Sequence, residues 1–326
     1  LKVLVIRFSS IGDIVLTFPV LRCIKEQLPN CELHFATKKA FSELISASGS
    51  IDKCHLLDNS LSVLISQLKL ENFDAVIDLH NNFRSRSICF RLNVKMTSHF
   101  LKLNVWKWIL VKFKLNYLPD KHIVDRYFEA VREIGVSNDR KNNQFLLKKE
   151  LDIRNAINLE EGGYVAVAIG AQYETKQIPN SKLQEILSKI DLPIVLLGGE
   201  MDINKANELI KILPNHNVIN TCGKYTLLES ASILKKSKLL LTGDTGLMHI
   251  ASCFEIPIFA VWGNTTPLFG MSAYKPQDKS SIVNFELKNI SCRPCSKIGF
   301  HKCPKGHFNC MIEQDSDAIS RAINRK

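Results

Sequence analysis

No stretch of the 326-residue chain is an unbroken apolar run of the roughly 20 residues that a membrane-crossing helix requires. No recognised nucleic-acid module is spelled anywhere in it, which argues against a nucleic-acid partner. Acidic residues are in short supply, with 32 Asp and Glu against 43 Lys and Arg and a net charge of +11. That imbalance implies an acidic partner, here a phosphorylated substrate or an anionic membrane surface. The first loop has one glycine, Gly12, where a dinucleotide-binding fingerprint has three, so that fingerprint is excluded. No charged and then apolar leader precedes the first strand pattern. A cytoplasmic setting is therefore expected, in which the ten cysteines stay mostly reduced.

What is present is an α/β pattern repeated twice. Apolar runs at 2–6, 32–36, 54–57 and 73–79 read as strands, with helical spacing between them, including one helix over 14–28. Residues 136–160 are polar. The alternation then restarts with strands at 165–169, 193–197, 218–219, 239–241 and 258–262. Two domains of 1–150 and 151–326 are expected, each a parallel sheet wound with helices. Ligands of such sheets bind outside the carboxyl ends of the strands, so the loops there carry the functional reading.

Lys238-Leu-Leu-Leu-Thr-Gly-Asp-Thr-Gly-Leu-Met-His249 is the most informative of these. A strand, a glycine-bearing turn and a helix capped by Asp244 or Thr245 place free N–H groups where an anion binds. An ordinary βα turn has the same form. His249, four residues after Thr245, is expected on the same helix face. Asp13 follows the first strand at a helix start, where a carboxylate serves as a cap or as a reactive group. Residues 100–118 interleave tryptophans and lysines. They read as a helix packed on its own domain with lysines in water, or as a segment lying on a lipid surface.

Three segments together resemble the heptosyltransferases, glycosyltransferase family 9: Ser9-Ser-Ile-Gly-Asp13, Gly243-Asp-Thr-Gly-Leu-Met-His-Ile-Ala251 and Pro257-Ile-x-x-x-Trp-Gly-Asn-Thr-x-Pro267. The resemblance implies a GT-B architecture, two Rossmann-like α/β domains facing a cleft, with the final helix near 312–324 crossing back to the first domain. It implies inverting transfer of heptose from ADP-heptose to the inner core of lipopolysaccharide. Asp13 would be the general base and Lys176 would stabilise the diphosphate. Gly12, Asp244, Thr245, Gly246 and His249 would bind the nucleotide-sugar donor. Arg84 and Arg126 would meet acidic groups of a lipid-linked glycan acceptor, with the anionic inner-membrane surface as a peripheral partner. No cofactor is implied for catalysis. Such a transfer needs a base for the acceptor proton and positive charge on the departing diphosphate, which these residue types supply. Many members carry a hydroxyl residue before the lysine and Trp-Pro after it. This chain reads Gly170-Ala-Gln-Tyr and then Lys176-Gln-Ile-Pro179, with fewer hydrogen-bonding groups for phosphate or sugar. Another nucleotide sugar and acceptor, or a non-catalytic nucleotide-binding protein with Asp13 only a cap, are the alternatives.

Near the end, Cys292, Cys295, Cys303 and Cys310 lie close in sequence together with His301 and His307. The spacing fits a structural zinc site, disulfides or free thiols.

Overall fold

In a computed structural model, residues 1–326 form two compact units, Leu1–Leu103 with Lys121–Lys148, and Asn104–Asp120 with Lys149–Lys326. The first unit holds five parallel strands, β1 (Lys2–Ile6), β2 (Glu32–Lys38), β3 (Lys53–Leu57), β4 (Ala75–Asp78) and β5 (Met96–His99), ordered β3-β2-β1-β4-β5. Helices α1 (Ile11–Val15), α2 (Phe18–Gln27), α3 (Ser42–Ser46), α4 (Leu61–Lys69) and α5 (Phe83–Leu92) connect them. The chain then departs into α6 (Asn104–Phe113), which groups with the second unit, and returns in α7 (Ile123–Val131). Val3 to Ile6 have no exposed surface. Both faces of β1 are covered, so it reads as an apolar run and not as an alternation.

The second unit has six parallel strands, β6 (Val165–Ala168), β7 (Ile194–Leu197), β8 (Val218–Asn220), β9 (Leu239–Thr242), β10 (Ile258–Trp262) and β11 (Ile282–Glu286), ordered β11-β10-β9-β6-β7-β8. Its helices are α8 (Ile153–Ile157), α9 (Asn180–Leu187), α10 (Ile203–Lys211), α11 (Leu227–Lys235), α12 (Gly246–Ala251), α13 (Asn309–Ile312) and α14 (Ser316–Asn324). Both sheets are Rossmann-like, as in the GT-B architecture. In each, the order reverses at one place, between β1 and β4 and between β6 and β9. Such a switch point opens a crevice at the carboxyl ends of the strands. Asp13 follows β1, Lys176 follows β6 and Asp244 follows β9.

Several expectations are corrected. The helix over 14–28 is two helices, because Pro19 lies at the start of α2 and has no N–H to continue the turn before it. Strand β5 is a polar edge strand, Met-Thr-Ser-His, without the apolar run that marks its neighbours. The last helix, expected near 312–324, begins at Ser316, after the separate short helix α13. Its apolar face, Ile319 and Ile323, enters the core of the second unit. There the Ser320 hydroxyl donates to the Ile186 carbonyl of α9 at 3.0 Å, and Asp317 pairs with Lys189. In α6 only Leu110 is buried. Trp106 and Trp108 are 42% and 55% exposed, so the packed-helix reading of 100–118 gives way to one with its aromatics outward. No helix is long and apolar enough to cross a membrane.

Ile319 is fully buried, and replacing it with Ala removes three side-chain carbons from that core. Ile319→Ala is expected to lower stability by about 2–5 kcal/mol, read as a lower urea midpoint. An unchanged midpoint would detach α14 from the second unit's core.

Candidate active site

In the second unit, β9 delivers its chain into Gly243 and Asp244, and Thr245 caps α12 by accepting the Met248 N–H. The cap is Thr245 and not Asp244, because the Asp244 carboxylate is engaged elsewhere. Lys176 Nζ lies 2.8 Å from its Oδ2, and the Thr265 hydroxyl donates to the same oxygen at 2.9 Å. Glycine is required at two places around this pair. A Cβ at Gly243 would stand 2.1 Å from the Lys176 carbonyl, and one at Gly263 would stand 2.9 Å from that of Thr175. The turn that presents the lysine therefore rests in a notch between two bare α-carbons at the ends of β9 and β10. Thr175 fixes the turn from the other side. Its N–H donates to the Phe300 carbonyl at 3.2 Å, and its Oγ accepts the Phe300 N–H at 2.8 Å.

Arg293, inside the cysteine-rich segment, is a residue the sequence reading missed. Its guanidinium donates to the carbonyls of Gly263 (2.6 Å), Thr265 (2.8 Å) and Leu287 (3.1 Å), and pairs with Glu286 at 2.8 Å. Asn264 between them is 1% exposed, and neither atom of its side-chain amide has a hydrogen-bond partner. Leaving such groups unpaired costs about 1–3 kcal/mol each. A cavity of about 640 Å³ opens beside this loop, walled by Thr266, Arg293, Leu110 and Lys114. His249 is 3% exposed and sits inside the unit. Gly246, at the first position of α12, keeps a backbone N–H at the helix mouth.

In the first unit, Asp13 stands at the third position of α1, with buried Gly12 before it. One carboxylate oxygen takes the N–H and hydroxyl of Ser10 at 3.2 and 2.9 Å, and the other meets Arg7 Nη2 at 2.6 Å. Capping is therefore real, and a strong ion pair accompanies it. Burial pushes the Asp13 pKa up, but the Arg7 charge and the Ser10 hydrogen bonds outweigh it and hold it below the usual carboxylate range. Arg7 is itself fixed by the carbonyls of Ser9 and Leu79, at 2.8 and 2.5 Å. Its guanidinium lies 5.9 Å from the centre of the Tyr127 ring, whose buried hydroxyl has no partner. His80, at the end of β4, packs edge-on against Phe8. Its Nδ1 is also buried without a partner, and burial pushes its pKa down to about 3, so the ring is neutral. Arg7, His80 and Tyr127 come from three separate segments; Arg7 shares the loop of Asp13, His80 opens the polar cluster after the apolar run 73–79, and Tyr127 had no such signal.

The two proposed acceptor arginines differ in setting. Arg84 is exposed on α5. Arg126 is 4% exposed, stacks 5.0 Å from the Phe100 ring and donates to the Leu101 carbonyl at 2.6 Å. All ten cysteines are free thiols. Cys292 Sγ lies 3.9 Å from His307 Nε2, but Cys292, Cys295, Cys303 and Cys310 do not gather at ligand spacing. Cys310 is buried within α13, where burial pushes its thiol up to about 12. Of the three readings of this spacing, the structure shows free thiols, one of them turned into the core, with no specific zinc cluster evident there.

Residues 62–300 match the model of glycosyltransferase family 9 (heptosyltransferase). The chain belongs to that family. Family 9 relatives resemble it along its length. Lipooligosaccharide heptosyltransferase 2 of Haemophilus influenzae is 23% identical, with 99% of each chain covered. Lipopolysaccharide heptosyltransferase 1 of Campylobacter coli is 25% identical over 81% of this chain and 84% of that one. Among solved folds, the family 9 glycosyl transferase from Veillonella parvula superposes with a TM-score of 0.76 at 19% identity, covering 99% and 96% of the two chains. The E. coli heptosyltransferase WaaC with ADP does so with 0.72 at 18%, covering 100% and 99%. The protein is a glycosyltransferase.

Two predictions follow from the geometry. Gly243→Ala places a Cβ against the Lys176 carbonyl, so the lysine turn must shift. Nucleotide affinity is expected to fall while the first unit's melting stays put; unchanged affinity would show that the notch does not position the lysine. For a base, activity is lost as pH falls through its pKa. Arg7→Met removes the charge holding the Asp13 pKa down, so the acidic limb of the pH–rate profile is expected to move to higher pH. A limb that stays in place would separate Asp13 from the rate.

Proposed function

We propose that the protein is an inverting glycosyltransferase that moves heptose from ADP-heptose to the inner core of lipopolysaccharide. The observation that carries the reading is the Lys176–Asp244 pair at 2.8 Å in the glycine notch. It holds one ammonium ready beside a turn whose N–H groups suit phosphate oxygens. In this scheme the Asp13 carboxylate takes the proton of the acceptor hydroxyl. The acceptor oxygen forms its bond to the anomeric carbon on the face opposite the diphosphate. The bond from that carbon to the diphosphate oxygen breaks, and Lys176, with the donor turn of Asp244, Thr245, Gly246 and His249, receives the departing charge. Gly12 lets the backbone beside Asp13 approach the donor. Arg84 is the better placed of the two arginines for an acidic acceptor, while Arg126 supports the Leu101 backbone. No step passes through a metal at Cys292, Cys295, Cys303 or Cys310, since Lys176 and backbone N–H groups supply the positive charge. The relatives named for heptose transfer support the donor sugar, and the WaaC fold with ADP supports the nucleotide.

The exposed aromatics of α6, with Lys107 and Lys112 on the same helix, support peripheral contact with an anionic membrane, where a lipid-linked acceptor resides. A second reading, a non-catalytic nucleotide-binding protein, draws on the full engagement of Asp13 by Ser10 and Arg7.

Calorimetric titration with ADP, UDP and GDP separates the donors. ADP is expected to bind selectively, and Lys176→Ala to weaken it about 10- to 100-fold, the worth of one charge-assisted hydrogen bond. Preference for UDP or GDP would overturn the donor. Asp13→Asn is expected to keep ADP binding and lower kcat by about 10²–10⁴-fold; full turnover by that variant would favour the non-catalytic reading of Asp13. Flotation with phosphatidylglycerol vesicles tests the membrane contact, which Trp106→Ala with Trp108→Ala is expected to abolish. Equal flotation of the variant would remove α6 from that role.

A further inference from the structure

A second polar cluster lies at the other end of the first sheet, at the amino ends of the strands. His34 on β2 is fully buried, and His55 on the adjacent edge strand β3 is 5% exposed. In the parallel register His34 pairs with Lys53 and Ala36 with His55, so both imidazoles project from one face, the face covered by α4. Glu71 reaches the same point from the segment between α4 and β4. His34 Nδ1 is 2.9 Å from His55 Nε2 and 3.9 Å from a Glu71 oxygen, and His55 Nε2 is 4.0 Å from the other. The three donor atoms lie within 4.8 Å of one another.

We propose that His34 Nδ1, His55 Nε2 and the Glu71 carboxylate form a binding site for a divalent transition-metal ion such as Zn²⁺. Metal–ligand bonds near 2.0–2.1 Å in a tetrahedral set imply ligand spacings of about 3.3 Å, and the observed separations bracket that value. Two histidines and one carboxylate are a common donor set for zinc, with water as the fourth ligand. The support behind the ligands is also present. His34 Nε2 lies 2.8 Å from Glu32 Oε1, which fixes the proton on Nε2; the Nδ1 lone pair then accepts the His55 Nε2–H at 2.9 Å, a proton that would move to His55 Nδ1 when an ion takes its place. A carboxylate behind a ligating histidine orients the ring and raises its basicity. The Phe73 ring stands edge-on to both imidazoles and limits their rotation.

Glu71 also meets Lys53 and Lys2. They occupy both carboxylate oxygens, Lys53 one and Lys2 the other, so an ion would have to displace at least one of them. The Lys53 side chain is 55% exposed and can swing to solvent without leaving a buried charge behind. The ligands come from β2, β3 and the approach to β4, so an ion there would tie three segments of the sheet's amino end, a structural role separate from the transfer chemistry. The other converging group, Asp78, Cys89 and His99, lacks this freedom. Both Asp78 oxygens are already taken, one by the N–H groups of His80 and Asn81 and one by the Ser85 hydroxyl.

The test is calorimetric titration of the full chain, stripped by chelator, with Zn²⁺. Co²⁺ absorption distinguishes nitrogen and oxygen ligands from thiolates. A Cys292→Ser, Cys295→Ser background sets the C-terminal thiols aside. One equivalent of Zn²⁺ is expected to bind in that background, with Co²⁺ giving visible bands and no thiolate charge-transfer band. His55→Gln and Glu71→Gln are expected to lose it, and Glu32→Gln to weaken it about 10- to 100-fold. Far-UV circular dichroism without metal checks that each variant folds. Should His55→Gln not fold, Glu71→Gln, nearer the surface, decides. Retention of the equivalent in Glu71→Gln and His55→Gln, or no Zn²⁺ binding in the serine background, would overturn the site.

Discussion

The Lys176 carbonyl rests against the bare α-carbon of Gly243, and the placement of the Lys176–Asp244 pair follows from that approach. A methyl group at that α-carbon would stand 2.1 Å from the oxygen, a distance no packing tolerates. Because the backbone settles there, the lysine side chain need only extend to reach Asp244. Thr265 then holds Asp244, and Arg293 holds the loop that carries Thr265. The ammonium is thus positioned by backbone packing and two further residues, and not by its own flexible stem. Preorganisation of this kind spares the reorganisation cost when charge develops on a leaving group.

Asp13 is held by two different partners at once. Oδ2 fastens the first turn of α1 to Ser10, while Oδ1 lies against Arg7. The cap fixes where the carboxylate points, and the guanidinium fixes its charge. The same ion pair weakens it as a proton acceptor, since a base is most effective with a pKa near the working pH. An arriving substrate that draws Arg7 toward its own negative charge would relax this restraint.

The core strands were legible because they are buried on both faces and so leave apolar runs in the sequence. Edge strand β5, with no such run, was not. Asp13, Asp244 and Thr245 were legible because each lies in a short loop after an apolar strand, at the reversal of strand order; Lys176 was found through the family resemblance. Arg293 and Tyr127 were not legible, because long-range folding joins them to their neighbours: Arg293 holds a carbonyl 30 residues away. Cysteine spacing left zinc, disulfides and free thiols open for a related reason. It records intervals along the chain but not the direction of a side chain, and α13 turns Cys310 inward. The destination of α14 depended on which neighbour offered a matching apolar groove, which no local pattern contains.

The excursion of 104–120 bears on how such a protein can be inherited. Lys114 donates to the carbonyls of Cys292 and Pro294, at 2.9 and 2.7 Å, so a segment encoded in the first half is a working part of the second unit. Recombination between relatives at the polar stretch near Lys148 would exchange most of one unit cleanly. It would also leave α6 from one parent facing a cysteine-rich loop from the other. A division at the polar stretch therefore does not separate the two units, because 104–120 belongs with 292–294.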